Sequence, residues 1–137
     1  MGERRAEVFF YGLFMDADQL REKGIVPGAA EIAWAEGFAL RIGKRAALVP
    51  DSTARAYGTV MSVALGDLER LYSGPGLEAY RPQTLRVQLA SGGSLTAICY
   101  NLSQAPAADE HNPEYAAKLR AVASKVGLPA EYVASVR

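Results

Sequence analysis

The sequence predicts an α+β domain: a small mixed, strongly curved β-barrel with short helices packed outside it. Three observations predict this. The chain opens on the unbroken apolar run Val8-Phe9-Phe10-Tyr11, the pattern of a strand buried on both faces. Later runs alternate apolar and polar residues but carry internal glycines at Gly37 and Gly58, which bend a strand and curl its sheet. The tally is five or six short strands, two short helices and one longer C-terminal helix, which fits a small mixed sheet with helices packed outside it.

At 137 residues the chain has the size of one domain, read as a single unit over 1–137, and half its residues are hydrophobic, enough for a core. Fifteen Lys and Arg balance fifteen Asp and Glu. That balance points to neither nucleic acid nor an anionic membrane as a partner. One cysteine, Cys99, sits in an apolar run and reads as core, and one histidine, His111, reads as a solvated loop residue. One of each does not make a zinc site, so neither a metal nor a cofactor is expected. The start Met1-Gly2-Glu3-Arg4-Arg5 leads straight into a short strand and does not read as a signal peptide. No run approaches the ~20 apolar residues of a membrane span. The expected location is the cytoplasm.

The elements follow in order. The first strand ends at Gly12, and Asp16 to Gly24 reads as a short helix capped by Asp16 or Asp18 and ended by Gly24. Ile25 to Gly28 is a turn. Glu31 to Ile42 alternates with period two, with Gly37 as a bend or bulge. Lys44 to Pro50 reads as a short edge segment ended by Pro50, Asp51 to Ala54 as loop, and Tyr57 to Val63 as a strand. Gly66 to Tyr72 reads as a helix with Asp67 as its N-cap, stopped by Ser73-Gly74-Pro75-Gly76. Tyr80 to Leu89 and Leu95 to Leu102 form a hairpin about Ser91-Gly92-Gly93-Ser94. Ser103 to His111 is loop. Asn112 as N-cap, Pro113 at the first helical position and Gly127 past the end bracket a helix with the apolar stripe Tyr115, Leu119, Val122 and Val126. Ala130 to Val136 adds a last short helical turn.

Strand, glycine turn and helix start together can aim backbone N–H groups at an anion; the alternative is a tight connection with no ligand. No Ser/His/Asp arrangement is placed, and no phosphate-loop or dinucleotide fingerprint is present. What remains for chemistry is the opening loop and the loop from Ser73 to Tyr80.

In its order of elements the chain resembles the gamma-glutamylcyclotransferase-like superfamily, nearly end to end. Tyr11-Gly12 resembles the family's Tyr-Gly-Ser-x-x loop, Ala47-Leu48-Val49-Pro50 its Pro-Ala-hydrophobic-x-Pro stretch, and Tyr57-Gly58-Thr59-Val60 the strand that follows. Asp67-Leu68-x-x-Leu71 with Gly76 and Tyr80-Arg81 resembles the helix and loop that carry the family's acid. Pro113-x-Tyr115 through Gly127-Leu128-Pro129-x-x-Tyr132 resembles the C-terminal segment of the animal-type enzymes.

The resemblance implies a mixed barrel with an open cavity, and release of 5-oxoproline from γ-glutamyl compounds. In that reaction the substrate's own α-amine attacks its γ-carbonyl. The protein has only to hold the α-carboxylate, stabilise the oxyanion and move a proton to the leaving amine. Carried over residue by residue, the substrate-binding positions are Tyr11, Gly12, Leu13, Phe14 and Met15, with Tyr80 and Tyr115 near the cavity. For Tyr80, cavity wall and simple barrel packing stay equally open, and Tyr115 lies on an apolar helical stripe.

Two departures stand out. Leu13, Phe14 and Met15 replace the polar Ser-Asn or Thr-Leu continuation of the family loop. The acid of Leu-Asp-x-x-Glu-Gly falls on Pro75 in Leu71-Tyr72-Ser73-Gly74-Pro75-Gly76. Glu78, in the same loop, is the catalytic candidate that would replace it, against the reading of a simple exposed carboxylate. Three readings follow: an enzyme using Glu78, a module binding a γ-glutamyl-type or apolar carboxylate or amide ligand, and a degenerate barrel acting through its surface, for which a homodimer is one form.

Overall fold

The computed structural model describes residues 4–137. Strand β1 (Arg5–Phe10) leads through a 3-10 turn (Leu13–Met15) into helix α1 (Ala17–Glu22). Strands β2 (Glu31–Ile42) and β3 (Ala46–Ala64), helix α2 (Leu65–Leu71), strands β4 (Tyr80–Leu89) and β5 (Ser94–Leu102), and helices α3 (Pro113–Val126) and α4 (Ala130–Ser135) follow. The mixed α+β architecture is the one predicted.

The strands are ordered β1-β3-β2-β4-β5. All neighbours in that order are antiparallel. The curved sheet is drawn round on itself where β1 runs parallel to β5, with Val8 opposite Ile98. Val8, Phe9 and Phe10 are buried in succession, so β1 is covered on both faces. Met15, Leu20, Met61, Leu68, Val87, Cys99 and Leu119 join them in one core.

The segment from residue 44 to 63 corrects the reading as an edge piece, a loop and a strand. Ala46–Ala64 is one strand of 19 residues. Pro50 does not end it. Pro50 sits opposite Phe38 at a register shift, where Gly37 faces the four residues 51–54 and no ladder bond requires an N–H from the proline. Asp51 closes that excursion on itself, its Oδ1 accepting from the Thr53 N–H at 3.0 Å and the Thr53 hydroxyl at 2.7 Å. The predicted loop is therefore a bulge inside a continuous strand.

Helix α2 corrects a second expectation. β3 runs into it directly at Ala64, which caps it without a side-chain bond. Asp67 lies inside the first turn, where a carboxylate favours the helix dipole, and pairs with Arg70 at 2.8 Å. The caps of α3 are as predicted: Asn112 accepts from the Tyr115 N–H at 3.1 Å and Gly127 ends the helix at φ +90°. Its buried stripe is Ala116, Leu119 and Ala123, and Tyr115, Val122 and Val126 flank it half-buried. Two alanines on the contact line let α3 sit close to the barrel. Among the described residues, no helix is long and apolar enough to cross a membrane.

Candidate functional site

The site begins where β1 leaves the sheet. Gly58 of β3 lies directly under that point. A Cβ there would run into the Phe10 carbonyl oxygen and come within 3.0 Å of the Tyr11 Cα, so only glycine lets the two backbones approach. The chain then folds into its 3-10 turn, with the Met15 N–H donating to the Gly12 carbonyl at 3.1 Å. Three ties fix this turn. The Thr59 hydroxyl donates to the Met15 carbonyl at 2.8 Å. Asp16 caps α1 by accepting from the Asp18 N–H at 3.0 Å. Lys125 of α3 bridges Asp16 and Asp18, 2.8 Å from each carboxylate.

Opposite the turn, the loop after α2 is folded by Leu77 N–H to Gly74 carbonyl and Tyr80 N–H to Leu77 carbonyl bonds of 3.2 and 3.1 Å. Arg45, at the start of β3, donates from Nε to the Gly76 carbonyl at 3.1 Å and ties this loop to the barrel.

Between turn and loop lies a cavity of about 310 Å³. Of the positions carried over from the resemblance, Tyr11, Gly12, Leu13, Phe14, Tyr80 and Tyr115 line it. Met15 does not; its side chain is core and its carbonyl is held by Thr59. Glu78 is exposed and is not part of the wall, whereas Pro75 is. The structure also brings in residues that the sequence reading did not place in the site: Gln19, Lys23, Arg45, Tyr72 and Tyr100.

The wall is aromatic. Tyr72 stacks on Tyr100 with ring centroids 4.0 Å apart and planes 3° off parallel. Phe14 meets Tyr72 edge-on at 5.9 Å and 88°, and Tyr80 lies 5.8 Å from it. The Lys23 ammonium lies 5.9 Å from the Phe14 ring centroid. The Tyr80 hydroxyl donates to the Ala46 carbonyl. The Tyr11 hydroxyl lies 2.9 Å from the Tyr100 carbonyl oxygen and 3.1 Å from Asn101 Oδ1. Asn101, buried in β5, also clamps Leu48 of β3, accepting from its N–H and donating to its carbonyl, both at 2.9 Å. Asn101, next to the apolar run Ala97 to Tyr100, was the one sequence signal for this clamp.

Burial pushes the phenols of Tyr11, Tyr72, Tyr80 and Tyr115 upward. At Tyr80 the neighbouring Tyr115 adds to this and Arg45 opposes it. At Tyr115 the backbone groups of Ala46 and Leu13 oppose it, with Arg45, but burial prevails. Burial also holds the Cys99 thiol at about 12. These groups are therefore neutral at physiological pH and serve as hydrogen-bonding surface rather than as bases. Among the described residues, no cluster of three His, Cys, Asp or Glu is placed to hold a metal ion. The donor set suits a small organic anion.

The curved mixed sheet, the turn after β1 and the cavity over it define the class: a gamma-glutamylcyclotransferase-like fold. A sequence model of the AIG2-like family matches residues 55–136, more than half of the chain, and the protein belongs to that family. Solved structures agree. The uncharacterized protein loc79017 from Homo sapiens superposes with a TM-score of 0.79 at 19% identity, covering 98% of this chain and 89% of the other. A gamma-glutamyl cyclotransferase superposes at 0.76 and 17% identity, with the same coverage of 98% and 89%. An AIG2-like protein from Mus musculus superposes at 0.59 and 18% identity, covering 92% and 85%. At these identities the likeness is one of fold. A sequence search of curated proteins finds no match.

Proposed function

We propose that this protein binds a γ-glutamyl or related small carboxylate or amide compound at the Tyr11–Met15 loop. One observation carries the reading: the turn lines a cavity whose charged wall residues, Lys23 and Arg45, are both cations. A carboxylate entering it gains two positive partners, and charge-assisted hydrogen bonds are the strong ones. The partner is a small molecule, bound without a cofactor.

Cyclotransferase chemistry asks for more. A proton has to move from the substrate ammonium to the leaving amine, which a positioned carboxylate would do. The resemblance gives that role to the position of Pro75, which lines the wall and has no titratable group, and Glu78 is exposed and off it. The function supported best is therefore binding on an enzyme-like fold without turnover. Purified protein incubated separately with γ-glutamyl amines, γ-glutamyl dipeptides and simple carboxylates is expected to show a rise in melting temperature with at least one of them and no 5-oxoproline with any. Release of 5-oxoproline that disappears in Glu78→Gln would establish the enzyme instead. No thermal shift with any of these compounds would remove the binding reading as well.

A further inference from the structure

We infer that the cavity selects a flat aromatic or unsaturated carboxylate that carries no ammonium group. This rests on the proposed binding role of the same cavity and narrows it.

Charge excludes the ammonium. Lys23 and Arg45 line the wall and, among the described residues, no carboxylate does. The acids nearby are engaged or turned to solvent. Asp16 and Asp18 hold Lys125. Glu69, near enough to Tyr100 to help raise its phenol, is exposed, as is Glu78. The α-ammonium of an amino acid would lose water here and meet two like charges with no counter-ion. Tyrosine faces alone attract cations, but two cations held at the same wall oppose a third.

Shape selects the body. Phe14, Tyr72, Tyr80 and Tyr100 line the cavity as one aromatic patch, with the Tyr72 ring 4.0, 5.8 and 5.9 Å from those of Tyr100, Tyr80 and Phe14. A planar ligand gains offset-stacked or edge-on contacts from such rings, whereas a saturated one gains area alone. Tyr72 stands one residue after Leu71, where the family pattern has an aspartate, so one position both removes an acid and adds a ring. The volume of about 310 Å³ suits a single small molecule.

Calorimetric titration with trans-cinnamate, cinnamamide, cinnamylamine, phenylalanine, 3-cyclohexylpropionate and γ-glutamylalanine tests this. Cinnamate is expected to bind at least about tenfold tighter than the amide, the amine or phenylalanine. It is also expected to bind more tightly than the cyclohexyl acid. Arg45→Gln is expected to erase the preference for acid over amide. Lys23→Gln, at an exposed position, is expected to weaken it and serves if the Arg45 variant does not fold. Equal binding of the amine, of phenylalanine or of the cyclohexyl acid overturns the inference. Binding of γ-glutamylalanine but not cinnamate overturns it and leaves the broader reading standing. No binding of any compound overturns both.

Discussion

Arg45 lines the cavity and donates from Nε to the carbonyl of Gly76 at 3.1 Å. Gly76 has φ +81°, and a Cβ there would lie 2.7 Å from Arg45 Nη2. One glycine thus sets both the loop conformation and the place of a wall cation. Gly76→Ala is expected to lower stability by about 1–3 kcal/mol, the usual range for a non-glycine residue forced into a strained backbone region. It should weaken carboxylate binding more than amide binding, because Arg45 has to move. Urea unfolding and calorimetric titration measure the two effects. Unchanged stability and unchanged binding would remove the role given to this contact.

Asn101 joins three parts of the barrel. It serves both backbone groups of Leu48 and lies beside the Tyr11 hydroxyl, and it is 7% exposed. Asn101→Leu leaves the Leu48 N–H and carbonyl without their partners. Each buried group left unpaired costs about 1–3 kcal/mol, so a loss of at least about 2 kcal/mol is expected in urea unfolding. A loss below about 0.5 kcal/mol, the range of an ordinary surface substitution, would show that water replaces the clamp.

The ion cluster of Lys125 with Asp16 and Asp18 holds α3 against the turn, and its pH dependence has a definite sign. The hydrogen bond from Lys125, then its charge, holds the Asp18 carboxyl below its ordinary value. A depressed folded-state pKa gives stability that is present above the unfolded value, about 3.9, and lost as pH falls through the folded one. The bonds to Asp16 and Asp18 raise the Lys125 ammonium. That contribution is complete below the unfolded lysine value, about 10.4, and is lost as pH rises through the folded one. The melting temperatures of wild type and Lys125→Met should therefore differ most between about pH 5 and 10 and converge in acid below about pH 4. A difference that persists at pH 2 would mean that Lys125 acts through packing.

These contacts show which parts were legible in the chain. The run Val8 to Tyr11 followed by Gly12 marked the strand end and the turn, because burial and backbone freedom are local signals. Asn112, Pro113 and Gly127 marked α3 for the same reason. Pro50 and Asp51 misled, since both are local stop signals that a bulge absorbs when β2 supplies Gly37 opposite. The face-to-face contact of Tyr72 and Tyr100 was not legible. It depends on how far the sheet curls between α2 and β5, and no spacing in the sequence encodes that. Lys23 and Arg45 were unreadable as wall residues for the same reason.

Tyr115 yields a prediction about competition. Its hydroxyl lies 3.3 Å from the point a Gly12 Cβ would occupy, and the Leu13 and Ala46 backbone groups act on it. A ligand oxygen approaching the turn has to displace that hydroxyl from its place beside Gly12. A net hydrogen bond is worth about 0.5–1.5 kcal/mol, so Tyr115→Phe is expected to tighten carboxylate binding by about two- to tenfold. Weaker binding would show that the hydroxyl itself touches the ligand.

Pro75 offers the converse experiment. It lies on the cavity wall with no titratable group, at the place the family pattern gives to an acid. Pro75→Glu would put a carboxylate opposite Lys23 and Arg45 and provide the counter-ion an α-ammonium lacks. Removal of the proline also frees the loop, so the variant's fold is checked first by circular dichroism. Affinity for γ-glutamylalanine should then rise by about tenfold or more, the scale of one charge-assisted hydrogen bond, while affinity for cinnamate falls. If the new carboxylate is also placed to move a proton, 5-oxoproline appears, and Pro75→Gln, which has the shape without the charge, produces none. If Pro75→Gln gains γ-glutamylalanine affinity equally, the missing charge is not what sets the ligand class. The contrast between these two variants isolates the carboxylate from the change in backbone.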